Sequence, residues 1–169
     1  MLWPTSSDNS FAIVPARSRI ELTSAAALLR AYAAALPVDL APQGFRQELD
    51  SLPGLYNPPQ GELLLAKRGD HVLGCIGLRP LEPPHVAEIK RLFVRPQARK
   101  MGVGQALVSA VIATAGRLGY GELKLDTLPE MQGAIALYTR NGFAPIPPYG
   151  SHLYPDLVTL GKTLAAAAG

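Results

Sequence analysis

The chain has 169 residues, 48% hydrophobic and 17% charged, with a formal net charge of +3. That composition excludes a disordered chain, and the length suits one domain, residues 1–169, large enough to bury a core. The basic excess fits a phosphate-bearing ligand but is too mild and scattered for a nucleic-acid surface, and no basic helix face or aromatic run accompanies it. Cys75 is the only cysteine. It excludes an intramolecular disulfide and a cysteine-based metal cluster, and it fits a reducing cytoplasm. No pair of histidines has metal-ligand spacing, so no metal is expected. No apolar run approaches the roughly 18 residues of a membrane span. The first ten residues lack the order of a signal peptide. Residues 1–10 and 164–169 are expected to be flexible ends, and a homodimer is left open.

In chain order, residues 11–16 read as a short strand. Residues 19–36 read as a helix, with Ile20, Leu22, Ala26, Leu29, Ala33 and Leu36 as its apolar positions and Pro37 as its stop. A second helix is expected over 42–52, with Pro42 near its start and Pro53-Gly54 after it. A loop follows over 55–60. Residues 62–67 and 71–78 then form a hairpin about Gly69-Asp70. After a loop at 80–84, residues 86–94 make the next strand, which Pro96 ends. A long helix opens within Arg99-Lys100-Met101-Gly102-Val103-Gly104, with its stripe at Val103, Leu107, Ala110, Val111, Thr114 and Leu118. Gly119-Tyr120-Gly121 closes it. Residues 123–127 alternate as a strand, Pro129 opens a helix through Arg140, and Asn141-Gly142 ends that helix. Residues 143–146 and 153–160 supply the last strands. The expected fold is mixed α/β (α+β), a largely antiparallel central sheet with helices on both faces.

The turn before the long helix is where chemistry is indicated. The first amides of a helix lack partners and carry the positive end of its dipole. Glycines at 102 and 104 let a bulky anion approach the backbone, and Arg99 and Lys100 add charge there. The guest expected is a pyrophosphate. The run from Gly102 to Leu107 matches a dinucleotide fingerprint only in part, because Leu107 stands where a small residue is wanted. That disfavours a nicotinamide oxidoreductase. No Gly-Lys-Ser/Thr follows, so it is not a P-loop.

Arg99-x-x-Gly102-x-Gly104 after an apolar strand resembles the acyl-coenzyme A signature of GNAT superfamily N-acetyltransferases. The segment Ala134-Ile-Ala-Leu-Tyr138-Thr-Arg-Asn-Gly-Phe143 resembles the family's second signature. The element order matches the GNAT fold over nearly the full chain. The resemblance implies acetyl-CoA as cosubstrate, held by Arg99, Lys100, Met101, Gly102, Val103, Gly104 and Gln105 and by the backbone of Leu92, Phe93 and Val94, with the Leu92 amide as oxyanion donor. It implies Glu88, fourteen positions before Gly102, as general base, unless that carboxylate only pairs with Lys90 or Arg91. It implies Tyr138 as the acid that protonates the departing thiolate, unless that ring is simply core. Relatives often carry Asn seven residues before this tyrosine; here the position is Met131.

Acetyl transfer needs a deprotonated amine, a held thioester, an oxyanion donor and a protonated leaving group. The acceptor pocket is expected from the first two helices and the last strands, with Asp39, Arg79, Lys90, Arg91, Tyr149 and Tyr154 as its polar side chains. Arg79 and Arg91 suit a substrate carboxylate and Asp39 an ammonium, although each can equally be a solvated charge. Cys75 is expected in the core, His71 on the surface and His152 isolated, and His85, which precedes the central strand and could reach the site, is discounted with them. The expected acceptor is a small-molecule primary amine. The alternatives are a protein lysine or N-terminus, or an acyl-CoA-binding module without catalysis.

Overall fold

The computed structural model describes residues 10–150 and 156–165. Seven strands form one sheet: β1 (Ala12–Pro15), β2 (Glu62–Arg68), β3 (His71–Pro80), β4 (Val86–Val94), β5 (Glu122–Thr127), β6 (Ala144–Pro145) and β7 (Val158–Thr163). Their spatial order is β1-β2-β3-β4-β5-β7-β6. Every pairing is antiparallel except β4 with β5. The helices are α1 (Arg19–Ala35), α2 (Phe45–Asp50), α3 (Val103–Arg117) and α4 (Gln132–Arg140). The expected order of elements is the observed one.

Both faces of the sheet are covered. Leu64, Leu73, Ile76 and Leu123 meet Val103, Leu107 and Val111 of α3 in one core. Leu63, Leu65 and Phe93 meet Leu28 and Leu29 of α1 in the other, with Phe45 and Leu49 of α2 against them. A sheet buried on both faces needs apolar residues at successive positions, which is why β2 and β3 read as continuous hydrophobic runs.

Local chemistry sets the element ends. Ser18 caps α1: its side chain accepts the Glu21 amide at 3.1 Å, and Glu21 Oε1 accepts the Ser18 amide at 2.9 Å, a reciprocal capping box. The α1 stripe is rotated from the expected one. Ala25, Leu28 and Leu29 are buried while Ile20 is 79% exposed. The helix expected over 42–52 is broken in two, because Gly44 adopts a left-handed conformation (φ 73°) between a 3-10 turn, Ala41–Gln43, and α2. A 3-10 turn also fills Pro96–Ala98, so α3 starts only at Val103. Helix α4 starts at Gln132 and not at Pro129. The Met131 amide is bonded to the Leu128 carbonyl at 3.0 Å, closing a turn in which Pro129 holds the second position, to which its fixed φ is equally suited.

Ser10 and Leu164 are each tied to the sheet by one bond. Arg68 Nε donates to the Ser10 carbonyl at 3.1 Å, and the Leu164 amide donates to Gly121 at 2.9 Å. The last strand begins at Val158, and the earlier part of the expected segment, residues 153–155, lies outside the described residues, as do His152 and Tyr154.

Strand β4 carries the irregularity that makes the site. Its register against β3 runs Gly77↔Lys90 and then Cys75↔Phe93, so β4 holds one extra residue there. Arg91 sits in that bulge with φ 64°, a left-handed conformation that is uncommon for a side-chain-bearing residue. Ala87 and Ile89 face the α3 core, and so do Leu92 and Val94. The alternation therefore skips a step, and Lys90 and Arg91 fall together on the α1 side. Pairing with β5 covers only Val86↔Glu122, Ala87↔Leu123 and Glu88↔Lys124. Beyond those pairs the two strands separate.

Candidate active site

The gap between β4 and β5 opens into a cavity of about 430 Å³. Ile89, Lys90, Arg91 and Leu92 of β4 form one wall, and Leu125, Asp126 and Thr127 of β5 form another. Tyr138, Met131 and Ala134 close one side; Leu36, Val38 and Leu40, which follow α1, close another. Glu88, Arg79 and Tyr149 meet at its polar end.

Glu88 is 5% exposed. Arg79, its cross-strand partner on β3, donates from Nε to Oε1 at 2.7 Å. The Tyr149 hydroxyl donates to Oε2 at 2.6 Å, and Lys90 Nζ lies 3.9 Å from Oε1. Burial raises the Tyr149 phenol above its ordinary pKa, and the charge of Glu88 raises it further, so this hydroxyl stays protonated and remains a donor. Lys124 Nζ lies over the Tyr149 ring, 5.2 Å from its centroid.

Tyr138 stands on α4 with its ring edge-on to Phe143, centroids 5.3 Å apart, and is 4% exposed. Its hydroxyl has no hydrogen-bond partner among the described residues, an uncommon state for a buried polar atom. Burial pushes this phenol well above its ordinary pKa. The group at the cavity wall is therefore a protonated donor without an acceptor. Met131, at the start of α4, offers the cavity only a thioether.

The turn before α3 has the expected form with one reason added. Gly102 caps the helix at φ 81°, and a Cβ there would meet nothing within 4 Å. The first bond into the helix runs from the Ala106 amide to Gly102 at 3.0 Å. The amides of Val103, Gly104 and Gln105 thus have no acceptor within the helix. Gly104 also answers to packing: a Cβ there would lie 3.2 Å from Leu137 Cδ2 of α4. Arg99 and Lys100 are exposed, Arg99 donating from Nε to the Val94 carbonyl at 3.3 Å. Met101 packs on the α3 core. The Gln105 side chain is engaged with Asn141 in a reciprocal amide pair at 2.8 and 3.0 Å, which leaves its main-chain amide for a ligand.

Several expected roles change. Arg91 lines the cavity, but its fork is taken: Nε and Nη2 donate to Glu48 Oε2 and Oε1 at 2.9 and 3.0 Å. Its guanidinium also lies 5.2 Å from the Phe45 ring centroid. It does not present a free fork to a substrate carboxylate. Asp39 is not among the cavity residues; its Oδ1 accepts the Ala41 amide at 2.9 Å and so shapes the turn after α1. The side chains of Phe93 and Val94 enter the two cores, so only their backbone can serve a ligand. His85 is exposed before β4, outside the cavity lining, with its carbonyl accepting from Gly121. Cys75 is fully buried, and burial pushes its thiol up to about 12.

Sequence reasoning missed the bulge, the Tyr149–Glu88 bond and the Glu48–Arg91 pair. The bulge had a signal. The inward apolar positions run 87, 89, 92 and 94, a step of three where an unbroken strand gives two. The two side-chain contacts span sixty-one and forty-three residues and have no local signature.

Among the described residues no group of His, Cys, Asp or Glu could hold a metal ion, and no helix is long and apolar enough to cross a membrane. The acetyltransferase (GNAT) family model matches residues 26–143. An uncharacterized N-acetyltransferase of Schizosaccharomyces pombe is 36% identical over 133 residues, covering 78% of this chain and 81% of its own. A GNAT-family acetyltransferase of Staphylococcus aureus has the same fold, with a TM-score of 0.77 at 21% identity over 92% of this chain and 100% of that one. The PaiA N-acetyltransferase of Thermoplasma acidophilum, solved in complex with coenzyme A, superposes with a TM-score of 0.70 at 18% identity, covering 92% and 99%. The chain belongs to the acetyltransferase (GNAT) family and is an acyl-CoA-dependent N-acetyltransferase.

Proposed function

We propose that the chain transfers an acetyl group from acetyl-CoA to the primary amine of a small molecule, directly and within a ternary complex. The observation that carries this reading is that Glu88 and Tyr138, whose hydroxyl has no partner among the described residues, both border one cavity, where β4 parts from β5. The chain's free groups fit the cosubstrate. The amides of Val103, Gly104 and Gln105, with Arg99 and Lys100, would hold the pyrophosphate. The edge of β4 from Ile89 to Val94, left by β5, would pair with the amide groups of pantetheine as a strand does. The cosubstrate supplies the thioester carbonyl.

Glu88 takes the proton of the acceptor ammonium, directly or through one water, because an alkylammonium of pKa about 10 is otherwise protonated at neutral pH. The amine nitrogen then forms its bond to the carbonyl carbon. The Leu92 amide, next to the bulge, donates to the carbonyl oxygen as it gains charge. As the carbon–sulfur bond breaks, Tyr138 gives its proton to the sulfur, and the second proton lost by the attacking nitrogen restores the phenol, directly or through water. The buried, high-pKa thiol of Cys75 supports direct transfer over a covalent enzyme intermediate. A single buried cysteine also supports a reducing cytoplasm as the setting.

The test is steady-state turnover of acetyl-CoA with a panel of primary amines, read by mass spectrometry of the products. Intersecting initial-velocity lines and an unmodified enzyme mass are expected. Parallel lines with an acetylated chain would overturn direct transfer. Acetylation confined to protein lysines or N-termini would overturn the small-molecule acceptor.

A further inference from the structure

The acceptor cavity carries a surplus of hydrogen-bond donors on cations. Glu48 is spent on Arg91 through two bonds. Each oxygen of Glu88 already accepts one bond, from Arg79 and from Tyr149, and keeps one further acceptor site. Asp126 accepts from Thr159 at 2.7 Å. Against these occupied carboxylates stand Lys90 and the outer nitrogens of Arg79. The Lys90 side chain is only 20% exposed, yet its ammonium has no acceptor within hydrogen-bond distance among the described residues. Its ion-pair contact, Glu88 Oε1 at 3.9 Å, is too long for a bond. Arg79 uses Nε on Glu88 and has no hydrogen bond from either outer nitrogen among the described residues.

A largely buried ammonium needs an anion or hydrogen-bond acceptors to offset its desolvation. Burial accordingly lowers the pKa of Lys90, and Arg91 and Arg79 add to that against the opposing pull of Glu88. Among the described residues nothing completes this site. Lys90 stands on this side by ordinary alternation with Glu88, and the bulge adds Arg91 to the same side.

Resting on the small-molecule reading above, we infer that Lys90, with the outer nitrogens of Arg79, anchors the carboxylate of the acceptor, which is an α-amino acid with an apolar side chain. Its amine reaches Glu88, beside both cations. Its side chain meets Leu36, Val38, Leu40, Pro42 and Leu81, which supply one apolar side of the cavity.

The experiment compares leucine, methionine, phenylalanine and tryptophan, each with its decarboxylated amine and its primary amide, as acceptors at saturating acetyl-CoA. Values of kcat/KM are corrected for the fraction of free amine. At least one acid is expected to exceed its amine and amide by tenfold or more. In Lys90→Met that ratio falls by tenfold or more, mainly through the KM of the acid, and Lys90→Arg restores part of it. Coenzyme A titration confirms that each variant is folded, with Lys90→Gln as the replacement if Lys90→Met is not. Amines or amides acetylated as well as the acids, or a ratio that Lys90→Met does not move, would overturn the carboxylate anchor alone. Turnover of no free amine, with coenzyme A still bound, would overturn the proposed function as well.

Discussion

Tyr138→Phe sets stability and activity against each other, which makes it the sharpest test of the thiolate's proton donor. The substitution keeps the ring against Phe143 and removes only the hydroxyl. That hydroxyl makes no bond to the described residues, so its removal costs the fold no hydrogen bond. Leaving a buried polar group unsatisfied costs about 1–3 kcal/mol. Tyr138 borders the cavity, where solvent relieves part of that cost. The variant is therefore expected to gain between zero and about 1 kcal/mol, a Tm shift of at most about +4 °C for a chain of this length. Its kcat is expected to fall by about tenfold to a hundredfold with coenzyme A affinity nearly unchanged. Thermal melts, calorimetric titration and single-turnover rates on one preparation supply the readouts. A lower Tm would mean that the hydroxyl bonds to the protein. An unchanged kcat would mean that solvent protonates the leaving group.

Three further outcomes are expected. Glu88→Gln should lower kcat/KM at neutral pH by about a hundredfold and leave a residual rate that climbs with pH as free amine accumulates; a wild-type pH profile would assign Glu88 to structure. Gly102→Asp should weaken coenzyme A binding tenfold or more, about 1.4 kcal/mol, in a folded protein, since the new Cβ has open space and Asp tolerates the left-handed backbone; unchanged affinity in titration would remove this turn from the binding site. Arg91→Met should cost about 3 kcal/mol in urea unfolding by stranding Glu48, and Glu48→Leu added to it should recover much of that loss; a single-variant loss below about 1 kcal/mol would show that the pair is not structural.

The order of elements could be read from the chain because local rules agree with the fold at most positions. The hairpin of β2 and β3 was legible in two apolar runs about Gly69-Asp70, and the start of α3 in Gly102. Element ends were less legible where one residue suits two local roles. Pro129 fits a helix start and a turn equally, and the Leu128–Met131 bond decides between them. Rotation of the α1 stripe was hidden because its alanines fit either face, so contact with β3 and β4 selects Ala25, Leu28 and Leu29. At the site, residue types were legible and their partners were not. Arg91 looked available because its partner lies forty-three residues away on α2. The packing reason for Gly104 was hidden because Leu137, which a Cβ there would crowd, sits on a later helix.

The bulge in β4 ties these particulars into one device. A left-handed φ at Arg91 costs about 1–2 kcal/mol, and an unbroken β4 would avoid it. An unbroken β4 would also keep its alternation. With Ala87 and Ile89 facing the α3 core, Arg91 would then face that core, and Leu92 would turn to the other side. The extra residue instead keeps Arg91 on the α1 side, where Glu48 and the rings of Tyr32 and Phe45 receive it and offset the strain. Lys90 already lies on that side by alternation with Glu88, without a hydrogen-bonding acceptor among the described residues. A bulge bends its strand and increases its twist, and β4 leaves β5 just before it, after Glu88. The same irregularity therefore frees the strand edge for a ligand and opens the cavity, next to the cation that regular alternation sets beside the proposed base.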